Sequence, residues 1–381
     1  MPHFRDISTG IDNGLGFFHF LVSICPREWL WVVEGIGFKA NRELGLQEIQ
    51  AAVPEGPAGM RSFLARVHLT WIFAFFFQDC QAGLEWVKPA LEASPKAAQI
   101  HYLAGYVERK LGLIAESEVS FRKTIEYSTG ELEIMREMAQ YDVGYNQMFQ
   151  LDWAGAKDTL TAVITKNPTA LKPYGYWQLA MCHVMLDEIK EADKYFKHLL
   201  PKVRKGFEYD EYAKIKARRF QAQNNSCSAY EKKYFCASLL LEALNYDGAL
   251  GVIEEASTLH AGVDDQATTL YIQGACFQGQ KAYPIAIEYF EKCIQLEKTL
   301  SVHVKFVIPY SLTGLAEIYL DQKPPNIKEA TTLLTKAKGY SGYDFSQLLG
   351  WRIGFNLDVK IPMMQRPSPA AAAAGPSSSS S

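Results

Sequence analysis

No run in this 381-residue chain supplies the roughly 20 uninterrupted apolar residues that a membrane-spanning helix needs. Residues 14–38 are very apolar, but Pro26, Arg27 and Glu28 cut them into two short pieces. Residues 63–77 carry Arg66 and His68 inside an otherwise apolar run. Both stretches read as deeply packed helices, so no transmembrane segment is expected, while peripheral contact with a membrane stays open. No charged region leads into a clean apolar run and cleavage site at the start, so no secretory signal is expected. The formal sequon Asn224-Asn225-Ser226 is set aside on that ground.

Charge of one sign is lacking too. Lys and Arg number 39 against 42 Asp and Glu, a net charge of −3. Such a balance offers no global field for nucleic acid, and no nucleic-acid partner is expected. Cysteine is thinly used: Cys25, Cys80, Cys182, Cys227, Cys236, Cys276 and Cys293 stand singly, most of them inside apolar helical stretches. An odd, dispersed set is poor material for a disulfide framework, and no CxxC pair suggests structural zinc. Buried free thiols in a reducing compartment are the simplest reading, and with them a cytoplasmic protein.

Motifs that carry chemistry are also missing. Neither GxxxxGK[ST] nor a strand-flanked GxGxxG occurs, and there is no GxSxG elbow and no HExxH. Cys182 and His183 are adjacent on a helix, where neighbours point about 100° apart, so they cannot pair as thiolate and base. The expectation is no cofactor, no metal and no enzyme.

What is present is apolar material, 48% of residues, arranged with helical periodicity from about residue 14 to 357 and no period-two strand. Within it, small and bulky residues recur in the pattern of tetratricopeptide helix pairs, where small residues allow two helices to cross and a bulky one fills the gap. One unit has Gly105, Gly112, Ser117, Phe121 and Thr124; a second has Gly144, Ala156, Leu160 and Pro168. A third has Leu179-Ala180, Ala192 and Phe196, and a fourth Gly274, Ala286 and Phe290. The fifth has Ala316 and Tyr319, then Ala330, Leu334 and Ala337 after a loop lengthened by Pro324-Pro325. The fold expected is all-α, with helical-hairpin repeats stacked into a curved superhelical solenoid.

The chain then divides into a flexible start (1–13), an apolar helical region (14–95) and a first block of repeats (96–201). A charged hinge and degenerate helix pair (202–262) follow, then C-terminal repeats with a closing helix (263–357) and a disordered Pro/Ala/Ser tail (358–381).

Several spacers between the repeats resemble blocks of one known family. Gly14-Leu15-Gly16-Phe17-Phe18 before Cys25-Pro26, Gly37 to Leu46 (GFKANRELGL) and Tyr176-Trp177-Gln178-Leu179-Ala180 occur in the family's order. Lys216 to Phe220, Pro309-Tyr310, Ser341 to Phe345 and Trp351-Arg352-Ile353 complete the series. Together they resemble the tetratricopeptide repeat protein 39 family, whose domain is shared with a fungal inclusion-body-clearance protein. The resemblance runs over residues 10–357. It implies an adaptor linked to lipid homeostasis, protein clearance or cilia, with no catalytic residues to carry over. Family members place a long helical region before the glycine-aromatic block, so the expectation is either an N-terminally shortened member or an incomplete gene model.

Two candidate sites follow from the residues. Tyr102, Tyr141, Trp177 and Tyr271 share one repeat position, and Tyr106, Tyr145 and Met181 share another four residues on. These first-helix positions tend toward the concave face, where Tyr and Trp would give rigid contact area to a partner protein. A register error of one residue would turn that groove into core, and packing between helices is the alternative. Lys214, Lys216, Arg218 and Arg219 form the one compact basic cluster, suited to an acidic peptide or a phospholipid head group. Its alternative is a solvated face neutralised by Glu208, Asp210 and Glu211. The leading expectation is a scaffold for other proteins. The second is a peripheral membrane adaptor using helices at 14–34 and 63–77, at an organelle membrane.

Overall fold

The computed structural model describes residues 2–24, 40–53, 60–166, 172–259 and 261–365, all helix or connection, with no strand among them. Two compact units divide the chain, residues 1–169 and 170–381.

The first unit runs α1 (Pro2–Ser23), α2 (Arg42–Ala51), α3 (Met60–Trp71, continued by a π turn Ile72–Phe76) and α4 (Cys80–Ala93). Then come α5 (Ala98–Lys110), α6 (Ile114–Tyr127), α7 (Glu133–Phe149) and α8 (Trp153–Lys166). Consecutive helices pack as hairpins, and α5 also meets α7. The hairpins close where the sequence places its small residues. A Cβ at Gly105 would come 2.9 Å from the Phe121 ring, and one at Gly144 2.9 Å from Leu160. The bulky residue thus occupies the space that glycine vacates, and burying Phe121 completely contributes about 2–3 kcal/mol. At the front of the unit the family-like blocks do the same job. Gly16 of α1 and Gly45 of α2 face each other so closely that a Cβ on either would lie 2.6 Å from the other's carbonyl oxygen.

The second unit contains α9 (Lys172–Met185), α10 (Ile189–Leu199), α11 (Glu208–Ala222), α12 (Ala229–Glu242) and α13 (Tyr246–Ser257). It continues with α14 (Val263–Gly279), α15 (Tyr283–Gln295), α16 (Val307–Asp321), α17 (Ile327–Lys338), α18 (Ser346–Phe355) and α19 (Ile361–Gln365). The pairs α9/α10, α12/α13, α14/α15 and α16/α17 are the hairpins. The first three turn through a left-handed residue at the same repeat position. Asp187, Leu244 and Lys281 have φ near 60°, matching Leu151 and Gly112 of the first unit. Four of the five carry a side chain there, at a backbone cost of roughly 1–2 kcal/mol each. Asn245, Asn326 and the Ser228–Glu231 capping box satisfy the first amides of α13, α17 and α12.

Four expectations change. Residues 2–13 belong to α1 rather than to a flexible start, because Asn13 and the stripe around Phe17 and Phe20 pack onto α2 and α3. The pair at 229–257 is a regular repeat, not a degenerate one. Ala237, Ala249, Ile253 and Ala256 repeat the spacing of Ala180, Ala192, Phe196 and Leu199, and all eight are buried. The charged hinge is an inserted helix, α11, which packs on α9 and α10 with Ala213, Ala217 and Phe220 buried. Its acidic start is part of the fold: Asp210 is fully buried and accepts from the Arg204 backbone N–H (3.0 Å) and Nε (2.7 Å). Helix also continues past residue 357, through a π turn at Asn356–Lys360 into α19. Cys25, Pro26, Gly37 to Lys39, Pro168 and the tail from 366 lie outside the described residues. Among the described residues no helix is long and apolar enough to cross a membrane.

Candidate binding faces

In the first unit an aromatic series crosses four helices. Phe17 of α1 stacks on His68 (4.0 Å between centroids) and meets Trp71 of α3 edge-on (6.3 Å). Trp71 stacks on Phe75 (6.1 Å), and Phe75 stacks on Tyr106 of α5 (4.4 Å). The Arg109 guanidinium then lies 5.7 Å from the Tyr106 ring and 5.4 Å from Tyr145 of α7. Tyr145 continues to Tyr141 (6.5 Å). Trp71 and Phe75 are 37% and 40% exposed, although rings of this size are the residues folding most gains by burying.

Beneath the series sits a buried polar lock. Arg109 Nη1 donates to Asp142 Oδ1 at 2.6 Å, and the Tyr102 hydroxyl donates to Asp142 Oδ2 at 2.9 Å. Asn146 donates to Ser117 Oγ (2.8 Å), which donates to the Gly105 carbonyl (2.7 Å). Burial opposes the charge on Arg109, but Asp142's charge and hydrogen bond outweigh it and hold the guanidinium pKa above its usual value. Burial, and then the Asp142 carboxylate, push the Tyr102 phenol far above its ordinary range. Arg109 and Tyr102 both keep their protons near neutrality, so their part in the lock is structural.

In the second unit aromatic residues of neighbouring helices pack on one another, and the closing segment adds Tyr343 and Phe345 to them. Tyr174 and Trp177 of α9 meet Tyr209 and Tyr212 of α11 at 5.0 Å, and Phe345 lies 5.3 Å from Tyr209 and 4.6 Å from Tyr212. Tyr271 of α14 meets Tyr310 of α16 (5.8 Å), which meets Tyr343 (6.4 Å). Arg352 Nε donates to Glu317 Oε1 at 2.6 Å, and Asn356 and Gln278 add hydrogen bonds to the same carboxylate. An open cleft of about 230 Å³ lies beside residues 342–347, with Glu208, Glu211, Tyr212 and Ile215 on its other wall.

The structure distributes the sequence-selected residues between groove and core. Tyr141 and Trp177 are buried, so for them the packing alternative holds; the Trp177 indole is boxed in by Tyr174, Tyr212 and Phe235. Tyr102, Tyr106, Tyr145, Met181 and Tyr271 are half-buried. Tyr106 and Tyr145 join the series that Trp71 and Phe75 expose, whereas Tyr102 holds Asp142 and Tyr271 packs between α14 and α16. The basic cluster is largely neutralised: Lys214 pairs with Glu211, Lys216 with Asp344 (2.9 Å) and Arg219 with Glu231 (2.8 Å). Arg218 alone of the four is exposed. Cys182 and His183 are both buried, and His183 turns from the thiol to Glu188 (2.5 Å) and stacks on Tyr195. Sequence reasoning missed Trp71 and Phe75. Their spacing with Leu64 puts all three on one helical stripe, a signal masked by the apolar run around them.

In Caenorhabditis elegans, tetratricopeptide repeat protein ttc-39B is 21% identical over 387 residues, covering 94% of this chain and 66% of its own length. The chain thus spans just under two thirds of that relative. A tetratricopeptide repeat protein from Parabacteroides merdae is 13% identical over 75% of this chain and 96% of its own, with a TM-score of 0.39. Yeast Tom70 is 13% identical over 93% of this chain and 98% of its own, with a TM-score of 0.32. A model of the Iml2/Tetratricopeptide repeat protein 39 family matches residues 3–278, so α15 onward, with the closing segment, lies beyond the match. On that match, covering most of its length, the chain belongs to the Iml2/Tetratricopeptide repeat protein 39 family.

Proposed function

We propose that this protein is a non-enzymatic scaffold that holds a peptide or helix of a partner protein on the aromatic series of its first unit. The observation that carries the reading is the continuity of Trp71, Phe75, Tyr106, Arg109 and Tyr145 across α3, α5 and α7. Exposed rings with few rotamers give contact area at low entropic cost, and the Arg109–Asp142 lock preorganises the middle of the face. Links to lipid homeostasis or protein clearance belong to the same proposal by family resemblance, and a cytoplasmic setting belongs to it by the dispersed cysteines. The test is the triple variant Trp71→Ala, Phe75→Ala, Tyr106→Ala in the full chain, compared with wild type by proximity labelling in cells. Loss of the labelled partners with an unchanged thermal melt supports the proposal; an unchanged partner set overturns it.

A second reading has its own observation. Ile11, Leu15 and Phe18 form an exposed stripe on α1, at 53%, 41% and 37% exposure. That stripe suits the surface of a membrane, lying flat rather than spanning it. Flotation of the full chain on liposomes, lost in Ile11→Glu, Leu15→Glu, Phe18→Glu, supports this reading; equal flotation of both discards it.

A further inference from the structure

The loop before α18 is held by groups that belong to α11, more than a hundred residues earlier. We propose that the α11 face of Glu208, Tyr209, Tyr212 and Lys216 is a docking surface for acidic-aromatic peptides, and that residues 344–347 occupy it as an intramolecular latch.

Each contact is of a kind that a separate peptide can reproduce. Asp344 Oδ2 accepts from Lys216 Nζ at 2.9 Å, and that ammonium also lies 4.8 Å from the Tyr212 ring. The Phe345 ring is held by Tyr209 and Tyr212. Glu208 accepts the backbone N–H of Gln347 at 2.6 Å and that of Leu348 at 3.3 Å, and the Ser346 hydroxyl at 3.4 Å. A helix must find acceptors for its first amides, and the N-cap of α18 is Phe345, whose side chain has none to offer. The acceptor is therefore supplied by a carboxylate on another helix, and it binds backbone, whatever the side chains there.

Two features mark the latch as separable from the fold beneath it. Phe345 has φ 56°, a left-handed conformation unfavourable to any residue with a Cβ, so the latched backbone is strained. Leu349 and Ile353 anchor α18 in the hydrophobic core of the unit, so the latch, with the first turn of α18, can lift while the rest of the helix stays. The open cleft of about 230 Å³ beside the latch shows that residues 342–347 leave part of the surface unfilled. The occupant that fits is a short peptide with a carboxylate followed directly by an aromatic ring. Lys216 answers the charge, Tyr209 and Tyr212 take the ring, and Glu208 takes the following amides.

The proposal concerns the second unit and stands whether or not the first unit's aromatic series binds a partner. Its test uses a fluorescein-labelled peptide of the chain's own residues 340–347, titrated into full-length protein by fluorescence polarisation. In wild type the tethered latch competes at an effective concentration in the millimolar range, so binding is weak. The variant Asp344→Ala, Phe345→Ala removes the competitor, and at least tenfold tighter binding is expected. Adding Lys216→Glu abolishes that binding, and a peptide carrying Asp344→Lys restores it. A latch variant with an unchanged melt that binds no tighter than wild type overturns the proposal, as does indifference to Lys216→Glu. A wild-type dimer that the peptide dissolves would assign the surface to a second copy's loop and also overturn it. Should the latch variant unfold, hydrogen exchange on wild type decides. The Gln347 and Leu348 amides are expected to exchange at least tenfold faster than those of Leu312 to Ala316, and equal protection sinks the idea.

Discussion

Arg109 and Asp142 meet at 2.6 Å between α5 and α7, with side chains 11% and 8% exposed, and join two neighbouring repeats through one buried ion pair. Tyr102 holds the second carboxylate oxygen, so removing Arg109 leaves a buried charge with half its partners. Breaking one side of such a pair costs about 3–5 kcal/mol. Arg109→Met is expected to lose stability in that range by urea unfolding, and Arg109→Met with Asp142→Leu to recover most of it. A double variant as unstable as the single would mean that the pair itself, not the stranded charge, holds the repeats together.

The Gly105–Phe121 crossing leaves no room for a side chain, since a Cβ would stand 2.9 Å from the ring. Gly105→Leu is expected to cost about 1–3 kcal/mol by overpacking, and more if Phe121 cannot rotate away. Phe121→Ala alone opens a cavity costing about 3–5 kcal/mol. Because the two changes share one space, the double variant is expected to be more stable than the sum of the singles predicts. Strict additivity in denaturant melts would show that the two residues do not fill the same gap.

The repeats were legible because side-chain volume fixes their spacing: glycine at 105, 144 and 274 implies a bulky partner on the return helix, and Phe121, Leu160 and Phe290 are there. The inserted helix α11 was not legible as core. A charge run looks solvated until Asp210 is found fully buried against Arg204. The face assignment failed at Tyr141 and Trp177 because a single helical position separates groove from core, and neighbouring helices decide it. Nothing local in the sequence announces the latch. Lys216 and Asp344 lie 128 residues apart, and their pairing depends on how the intervening hairpins stack.

Burial makes four of the second unit's thiols poor nucleophiles. It pushes Cys227 and Cys276 up to about 12 and Cys236 and Cys293 up to about 11. Only the thiolate reacts, so a rise of two to three pH units from the usual value lowers its fraction by about 10²–10³. At pH 8 these four cysteines are expected to react with a disulfide reagent at least about 100-fold more slowly in the native protein than in urea. Any of the four labelled at the denatured rate would show that its helix opens readily.

Glu317 of α16 is held by Arg352, Gln278 and Asn356. Burial works to raise its pKa, but the Arg352 charge and the hydrogen bonds outweigh it, and the net shift is downward. A carboxylate whose folded pKa lies below its unfolded value of about 4.3 contributes stability that is fully present above that pH. The contribution is lost as the pH falls through the folded pKa, when the unpaired acid form accumulates in the native state. Arg352 is 43% exposed, so water screens the pair, and the contribution at neutral pH is set at about 1 kcal/mol rather than the larger value of a dry pair. Urea unfolding of wild type and Glu317→Gln, followed from pH 7 to pH 3, is expected to show that gap closing below about pH 4. A gap that stays constant to pH 3 would mean that Glu317 acts through packing and neutral hydrogen bonds, and that its ionisation contributes nothing to holding α18 on α16.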